Sequence, residues 1–162
     1  MENLIAYGSA VKVLETDGDL VTIGGPAIIY DDPASPRKDL TGDYFTRESY
    51  LGPRKGDGVD TLFHHGFPIA GMKAAEELAD YLFPPVKTED SDEGLLASVI
   101  LDRRKKYERM VYELVEQKAL GWSTATASHT VRRADDGWLK RWPIIEISLT
   151  PEPAEPRTGV LP

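Results

Sequence analysis

The alternation of apolar and polar residues predicts a chain built mainly from β-strands. The first thirty residues predict a hairpin, in which the β-rich stretches YGSAVKVLE and LVTIGGPAIIY flank the turn TDGD. Proline and glycine mark the two following segments, YDDPASPRKDLTGDYF and GPRKGDGVD, as loops. A short extended stretch, TLFHHG, comes next. Further along, LLASVIL has the composition of a buried strand.

Two stretches have the apolar spacing of an amphipathic helix. The first is MKAAEELADYL, residues 72–82, which two prolines follow. The second, RKKYERMVYELVEQKALG, repeats apolar residues at i, i+3, i+4, i+7 and i+8. It predicts the main helix of the chain over residues 105–120, with Gly121 placed to end it.

The last third of the chain predicts two strands and a tail. The stretches WSTATASHTV and WLKRWPIIEISLT flank the turn ADDG. Four prolines in PEPAEPRTGVLP predict an irregular tail over residues 151–162, which leaves one domain over residues 1–150. Strands around one strong helix, which precedes Ser123, indicate an α+β domain or a small barrel.

Composition narrows the class of protein. The chain has 162 residues, of which 41% are hydrophobic and 28% charged, so a globular domain with a real core is expected. A net charge of -8 argues against a main role in binding nucleic acid, since phosphate contacts need a basic surface. No apolar run approaches the roughly 20 residues that span a bilayer, and we expect neither a membrane segment nor a secretory signal.

The absence of cysteine directs attention to serine and threonine as nucleophiles. Each needs a base within hydrogen-bond reach and a third group that orients the base. The three histidines are His64, His65 and His129. His129 follows Ser123 by six residues, so in a straight strand the two would lie roughly 20 Å apart. This distance excludes His129 as the base for Ser123. The pair in FHHG remains, and the spacing leaves both members open.

Glu146 is a carboxylate in an otherwise apolar strand. Period-two geometry places it on one face with Ser148 and Thr150, next along the chain to the Ser123 strand. There it can accept the second N–H of an imidazole. The plainer interpretations are a solvent-facing Glu146, an ordinary small Ser123 and a loop histidine pair. Adjacent histidines in a strand point to opposite faces, and the chain has no His-Glu-x-x-His helix, so neither metal nor cofactor is expected.

Five segments together resemble the prohead (capsid maturation) serine proteases of tailed phages of the HK97 type, which are similar in fold to the herpesvirus assemblins. They are DLTGDYFTRESYLG, TLFHHGFPIAG, EGLLASVILD, ALGWSTATASHTV and IIEISLTPEPAEPR, and the resemblance extends over most of the chain, from residue 39 to residue 157. The specific part is the order of the last two, which resemble the nucleophile segment and a closing Glu-x-Ser-Leu-Thr motif followed by Pro-Ala-x-Pro.

The resemblance implies site residues and a fold. By position, His65 matches the base, Ser123 the nucleophile and Glu146 the acidic third member. The implied fold is a mostly antiparallel, barrel-like α+β domain with one main helix before the nucleophile strand. Ser123-Thr124-Ala125 departs from the family's usual Ser-Ile-Gly or Ser-Ser-Gly. Residues that stay open are the alternative base His64, the alternative nucleophiles Thr124 and Ser128, and the oxyanion-hole candidates Arg132 and Arg133, alongside main-chain N–H groups.

The resemblance also implies a function. The chain would be an endopeptidase that acts in the host cytoplasm, inside the procapsid. Its substrates would be the major capsid protein with its scaffold segment, and the chain itself, with possible self-association. Two other classes remain: a protease-fold scaffold or virion structural protein without activity, and a hydrolase of small esters.

Overall fold

The computed structural model describes residues 3–39, 41–67 and 77–151, with side chains from residue 11 onward. Ten strands and one α-helix lie wholly within these ranges. In chain order they are β1 Asn3–Ala10, β2 Lys12–Asp17, β3 Leu20–Ile29, β4 Asp60–Phe63, β5 Lys87–Asp90, β6 Gly94–Asp102, α1 Lys106–Glu116, β7 Gly121–Ala127, β8 Arg132–Arg133, β9 Leu139–Arg141 and β10 Glu146–Thr150.

The strands form two four-stranded sheets and a small hairpin. The first sheet has the order β1-β7-β10-β4 and the second β2-β3-β6-β5, while β8 pairs with β9. All strand pairs are antiparallel except β10 with β4, which is parallel. The predicted α+β class with mostly antiparallel sheets is therefore confirmed. The strands of the described ranges form open sheets, and the expected barrel-like closure is not seen among them.

The hydrophobic core joins the two sheets. Strand β3 contacts β1 and β7, and alternate residues of β3 and β6, such as Ile23 and Val99, are buried. The first sheet contributes Trp122, Ile147 and Leu149 to the same core. Since successive strand residues point to opposite faces, the residues between these core positions, including Ser123, lie on the other face of the first sheet.

Helix α1 ends earlier than predicted. It stops at Glu116 rather than continuing to residue 120, because Lys118 adopts a left-handed backbone with a φ of 56°. Lys118 N–H donates to Val115 O (2.9 Å) and Ala119 N–H donates to Leu114 O (3.0 Å). This hydrogen-bond pattern is a Schellman motif with lysine in the position that usually holds glycine. It releases the chain into β7 at Gly121.

The last predicted strand is two strands in two different sheets. Strand β9 belongs to the hairpin with β8, whereas β10 belongs to the first sheet. Between them Pro143 has no N–H to donate, and the N–H groups of Trp142 and Ile144 bind Tyr50 O (2.8 Å) and Leu51 O (3.1 Å). The preceding strand is also shorter than predicted, since a 3₁₀ turn over Ser128–Thr130 follows β7.

Several predictions concern residues outside the described ranges. Of the predicted helix over 72–82, the structure describes residues from 77 onward, and residues 77–79 are helical. The predicted tail lies outside the described ranges apart from residue 151. Within the described residues, no helix is long and apolar enough to cross a membrane.

The left-handed end of α1 yields a stability prediction. Lys118→Gly removes the steric cost of a side chain at positive φ and should stabilise the fold by about 0.5–1 kcal/mol. The control is Glu113→Gly, a change to glycine at an exposed position in the interior of α1, which should destabilise the fold by about 1 kcal/mol. Urea unfolding of the three proteins gives both differences. A less stable Lys118→Gly protein would contradict the left-handed assignment.

Candidate active site

The register of β10 places the candidate residues on one face of the first sheet. Ser148 lies directly opposite Ser123 of β7, and Glu146 lies opposite Ala125. On its other edge β10 runs parallel to β4, with Leu149 opposite Phe63. The histidine pair follows Phe63 immediately, so it begins where the shared ladder of β4 and β10 ends.

A left-handed turn sets the position of the histidine pair. His64, His65 and Gly66 have φ values of 49°, 57° and 77°, and Phe67 N–H closes the turn on His64 O at 3.0 Å. Non-glycine residues rarely adopt positive φ, although histidine does so more readily than most. Strain of this kind costs on the order of 1–3 kcal/mol per residue, so the surrounding structure must hold the turn in place.

His65 bridges Ser123 and Glu146. Its Nε2 lies 2.5 Å from Ser123 Oγ, and its Nδ1 lies 2.6 Å from Glu146 Oε1. Because a carboxylate accepts hydrogen bonds, Nδ1–H donates to Glu146, and Nε2 of the neutral imidazole is left to accept the Ser123 hydroxyl proton. The geometric prediction that His65 points towards Ser123, with Glu146 behind it, is confirmed.

The bridge is shielded from solvent. Ser123 is fully buried, and the side chains of His65 and Glu146 are 4% and 12% exposed. Hydrogen bonds and charge interactions are stronger in such an environment than in water. An imidazolium formed here by proton transfer would face the carboxylate of Glu146 directly, which stabilises it.

Ser148 joins this group, although the sequence analysis assigned it no function. Its hydroxyl donates to Glu146 Oε1, and its Oγ accepts the main-chain N–H of His65 at 3.2 Å. Ser148 is fully buried. The available signal in the sequence was its position two residues after Glu146, on the same face of the strand.

The alternative base and nucleophiles lie elsewhere. His64 Nδ1 is 2.9 Å from Oγ1 of Thr150, the residue that follows the last register pair of β10 and β4, Leu149 and Phe63. Thr124 lies on the core face of β7, where its hydroxyl accepts the indole N–H of Trp142 at 3.1 Å. Ser128 has left the strand and begins the 3₁₀ turn, in which His129 is exposed. The structure therefore brings together His65, Ser123 and Glu146 and none of these alternatives.

The two arginines considered for an oxyanion hole are exposed residues of β8. Arg133 Nε donates to Asp43 Oδ1 at 2.5 Å, and Arg132 Nη1 donates to Val131 O at 2.9 Å. Neither contact involves the His65 bridge. As for metals, residues 3–39, 41–67 and 77–151 contain no group of three or more histidine or carboxylate side chains that could hold an ion.

The geometry predicts the tautomer of His65. With the side chain neutral, ¹⁵N NMR should show Nδ1 protonated and Nε2 unprotonated, because Glu146 accepts the Nδ1 proton. His129 is the internal control: an exposed imidazole should average between its two tautomers. Glu146→Ala should turn the His65 spectrum into that of an averaging imidazole. A wild-type His65 protonated at Nε2 would contradict the bridge.

Comparison with known proteins adds no relative. No protein-family description, no curated protein and no solved structure matches this chain.

Proposed function

We propose that the chain is a serine hydrolase with a Ser123-His65-Glu146 triad. The observation that carries the proposal is the position of His65, hydrogen-bonded to Ser123 through Nε2 and to Glu146 through Nδ1. A nucleophile, a base and a group that orients the base, linked in this order, are what hydroxyl activation requires.

The three residues have distinct roles in the proposed reaction. His65 Nε2 takes the proton of Ser123 Oγ as that oxygen attacks the substrate carbonyl carbon, while Glu146 stabilises the imidazolium. Collapse of the tetrahedral intermediate breaks the bond to the leaving group, which receives the proton from His65. A water molecule, deprotonated by the same imidazole, then hydrolyses the acyl-enzyme and regenerates Ser123. Main-chain N–H groups near β7 are the proposed oxyanion donors.

The more specific proposal is an endopeptidase that cleaves the major capsid protein and its scaffold segment inside the procapsid, in the host cytoplasm, and also cleaves itself. Its support is the resemblance of five ordered segments to prohead proteases, together with small residues beside Ser123. Ala125 and Ala127 share its face of β7, so no large side chain of that strand would obstruct a peptide once Ser123 is uncovered. A small-ester hydrolase has no comparable support in the sequence.

The burial of Ser123 has a consequence for activity. A fully buried hydroxyl cannot meet a peptide bond until the chain that covers it moves. We therefore expect the isolated folded protein to react slowly, and small probes to reach Ser123 more readily than protein substrates do.

Reaction with a small alkyl fluorophosphonate tests the nucleophile. Intact mass should rise by one adduct, and peptide mapping should place it on Ser123, since the probe needs an activated hydroxyl. His65→Ala should slow labelling about 10²- to 10⁴-fold, the usual contribution of a general base. The matched control is His129→Ala, an exposed histidine outside the bridge, which should label at the wild-type rate. Equal labelling of a folded Ser123→Ala protein would exclude Ser123.

Co-expression with the major capsid protein tests the substrate. Wild-type protein should cut it, whereas Ser123→Ala, His65→Ala and the double variant should all leave it uncut to a similar degree, because the two residues act as one unit. Glu146→Gln should lose less activity: it should keep about 10- to 100-fold more than Ser123→Ala or His65→Ala. Thermal unfolding of each variant separates lost chemistry from lost folding. An inert wild type that also resists the phosphonate would favour the non-enzymatic scaffold.

A further inference from the structure

We propose that Ser148 is a positioning residue that holds both the base and the carboxylate of the triad. The inference depends on the proposed function, which it extends by a fourth side chain. Ser148 lies opposite Ser123 in the register of β10 and β7, yet its hydroxyl forms hydrogen bonds with His65 and Glu146. Its position lets it act on both of them at once.

The first contact fixes the main chain of the base. The paired ladder of β4 and β10 ends at Phe63 and Leu149, so the His65 N–H has no ladder partner. It donates instead to Ser148 Oγ at 3.2 Å. Because His65 has a left-handed backbone, this bond opposes relaxation of the turn towards ordinary φ values. Ser148 thereby ties the turn to the central strand.

The second contact fixes the carboxylate. The Ser148 hydroxyl donates to Glu146 Oε1, the same oxygen that accepts Nδ1–H of His65. A glutamate side chain has three rotatable bonds, and ordering it costs conformational entropy. Two donors on one oxygen hold it in the rotamer that faces the imidazole.

The directions of these hydrogen bonds follow from the backbone. An amide N–H can only donate, so Ser148 Oγ must accept from His65 and its single proton is free to go to Glu146. Glu146 Oε1 then accepts from both Ser148 and His65 Nδ1. Nε2 is left as an acceptor for the Ser123 hydroxyl, which is the orientation a general base requires. The closed ring of contacts thus couples the geometry of the turn to the tautomer of the base.

Steady-state kinetics of capsid-protein cleavage distinguish a positioning role of Ser148 from a role in packing alone. Ser148→Ala should lower kcat about 10- to 100-fold with KM nearly unchanged, since displacement of a catalytic group by about 1 Å has an effect of this size. Ser148→Thr keeps the hydroxyl and should restore most of the rate. The matched control is Ser49→Ala, because Ser49 is also buried, accepts Thr46 N–H (3.0 Å) and donates to Leu139 O (2.7 Å). It should lose similar stability and keep wild-type kcat.

NMR of His65 gives a readout that needs no turnover. In full-length Ser123→Ala protein, the Nδ1–H proton should resonate downfield of the amides, and adding Ser148→Ala should broaden it and mix the two tautomers. Adding Ser49→Ala should leave it unchanged. If the Nδ1–H signal of the Ser123→Ala/Ser148→Ala double variant matched that of Ser123→Ala alone, the proposed role of Ser148 would be overturned. If the wild-type protein did not cleave the capsid protein but this NMR difference were present, the peptidase proposal would be rejected. The role of Ser148 in positioning His65 and Glu146 would be retained.

Discussion

The site depends on the register of β10 between β7 and β4. Glu146 and Ser148 share one face of this strand, and Ile147 and Leu149 fill the core from the other. Because side chains alternate with a period of two, a slip of one residue would move Glu146 into the hydrophobic core and the apolar pair onto the polar face. The hydrophobic effect on the core face therefore sets the geometry of the polar face. Precision at the triad follows from packing on the opposite side of the sheet.

A second requirement is that the buried hydroxyls on the polar face of β7 and β10 have hydrogen-bond partners. Ser123, Ser148 and Thr150 are all fully buried, where an unpaired hydroxyl costs on the order of 1–3 kcal/mol. The histidine turn brings Nε2 of His65 to Ser123, its N–H to Ser148, and Nδ1 of His64 to Thr150. These bonds offset both the burial of the hydroxyls and the strain of the turn. The polar face and the turn consequently stabilise each other.

The α+β class and the grouping of His65, Ser123 and Glu146 could be predicted from the sequence, but not the way they are built. Ser123 and Glu146 stood out because each interrupts an apolar strand pattern, and the resemblance singled out His65 from the pair. The left-handed turn escaped prediction, because its one glycine, Gly66, comes last and the two residues before it are histidines, whereas non-glycine residues rarely adopt positive φ. Ser148 is the serine of the Glu-x-Ser-Leu-Thr motif, but its contacts escaped prediction because they depend on where the histidine turn lies. The early end of α1 escaped for a related reason, since Lys118 occupies a position where glycine is the usual signal.

The position of β10 also has a consequence for the order of folding. It is the last strand of the described chain, yet it lies between β7 and β4 in the sheet. The three triad residues span 81 positions along the chain, and such distant contacts form late because loop closure must precede them. On a ribosome, strands β4 and β7 would wait for residues up to Thr150 to emerge before the sheet could close. Until then His65 would lack its contacts to Glu146 and Ser123, so a nascent chain would not yet carry the assembled site.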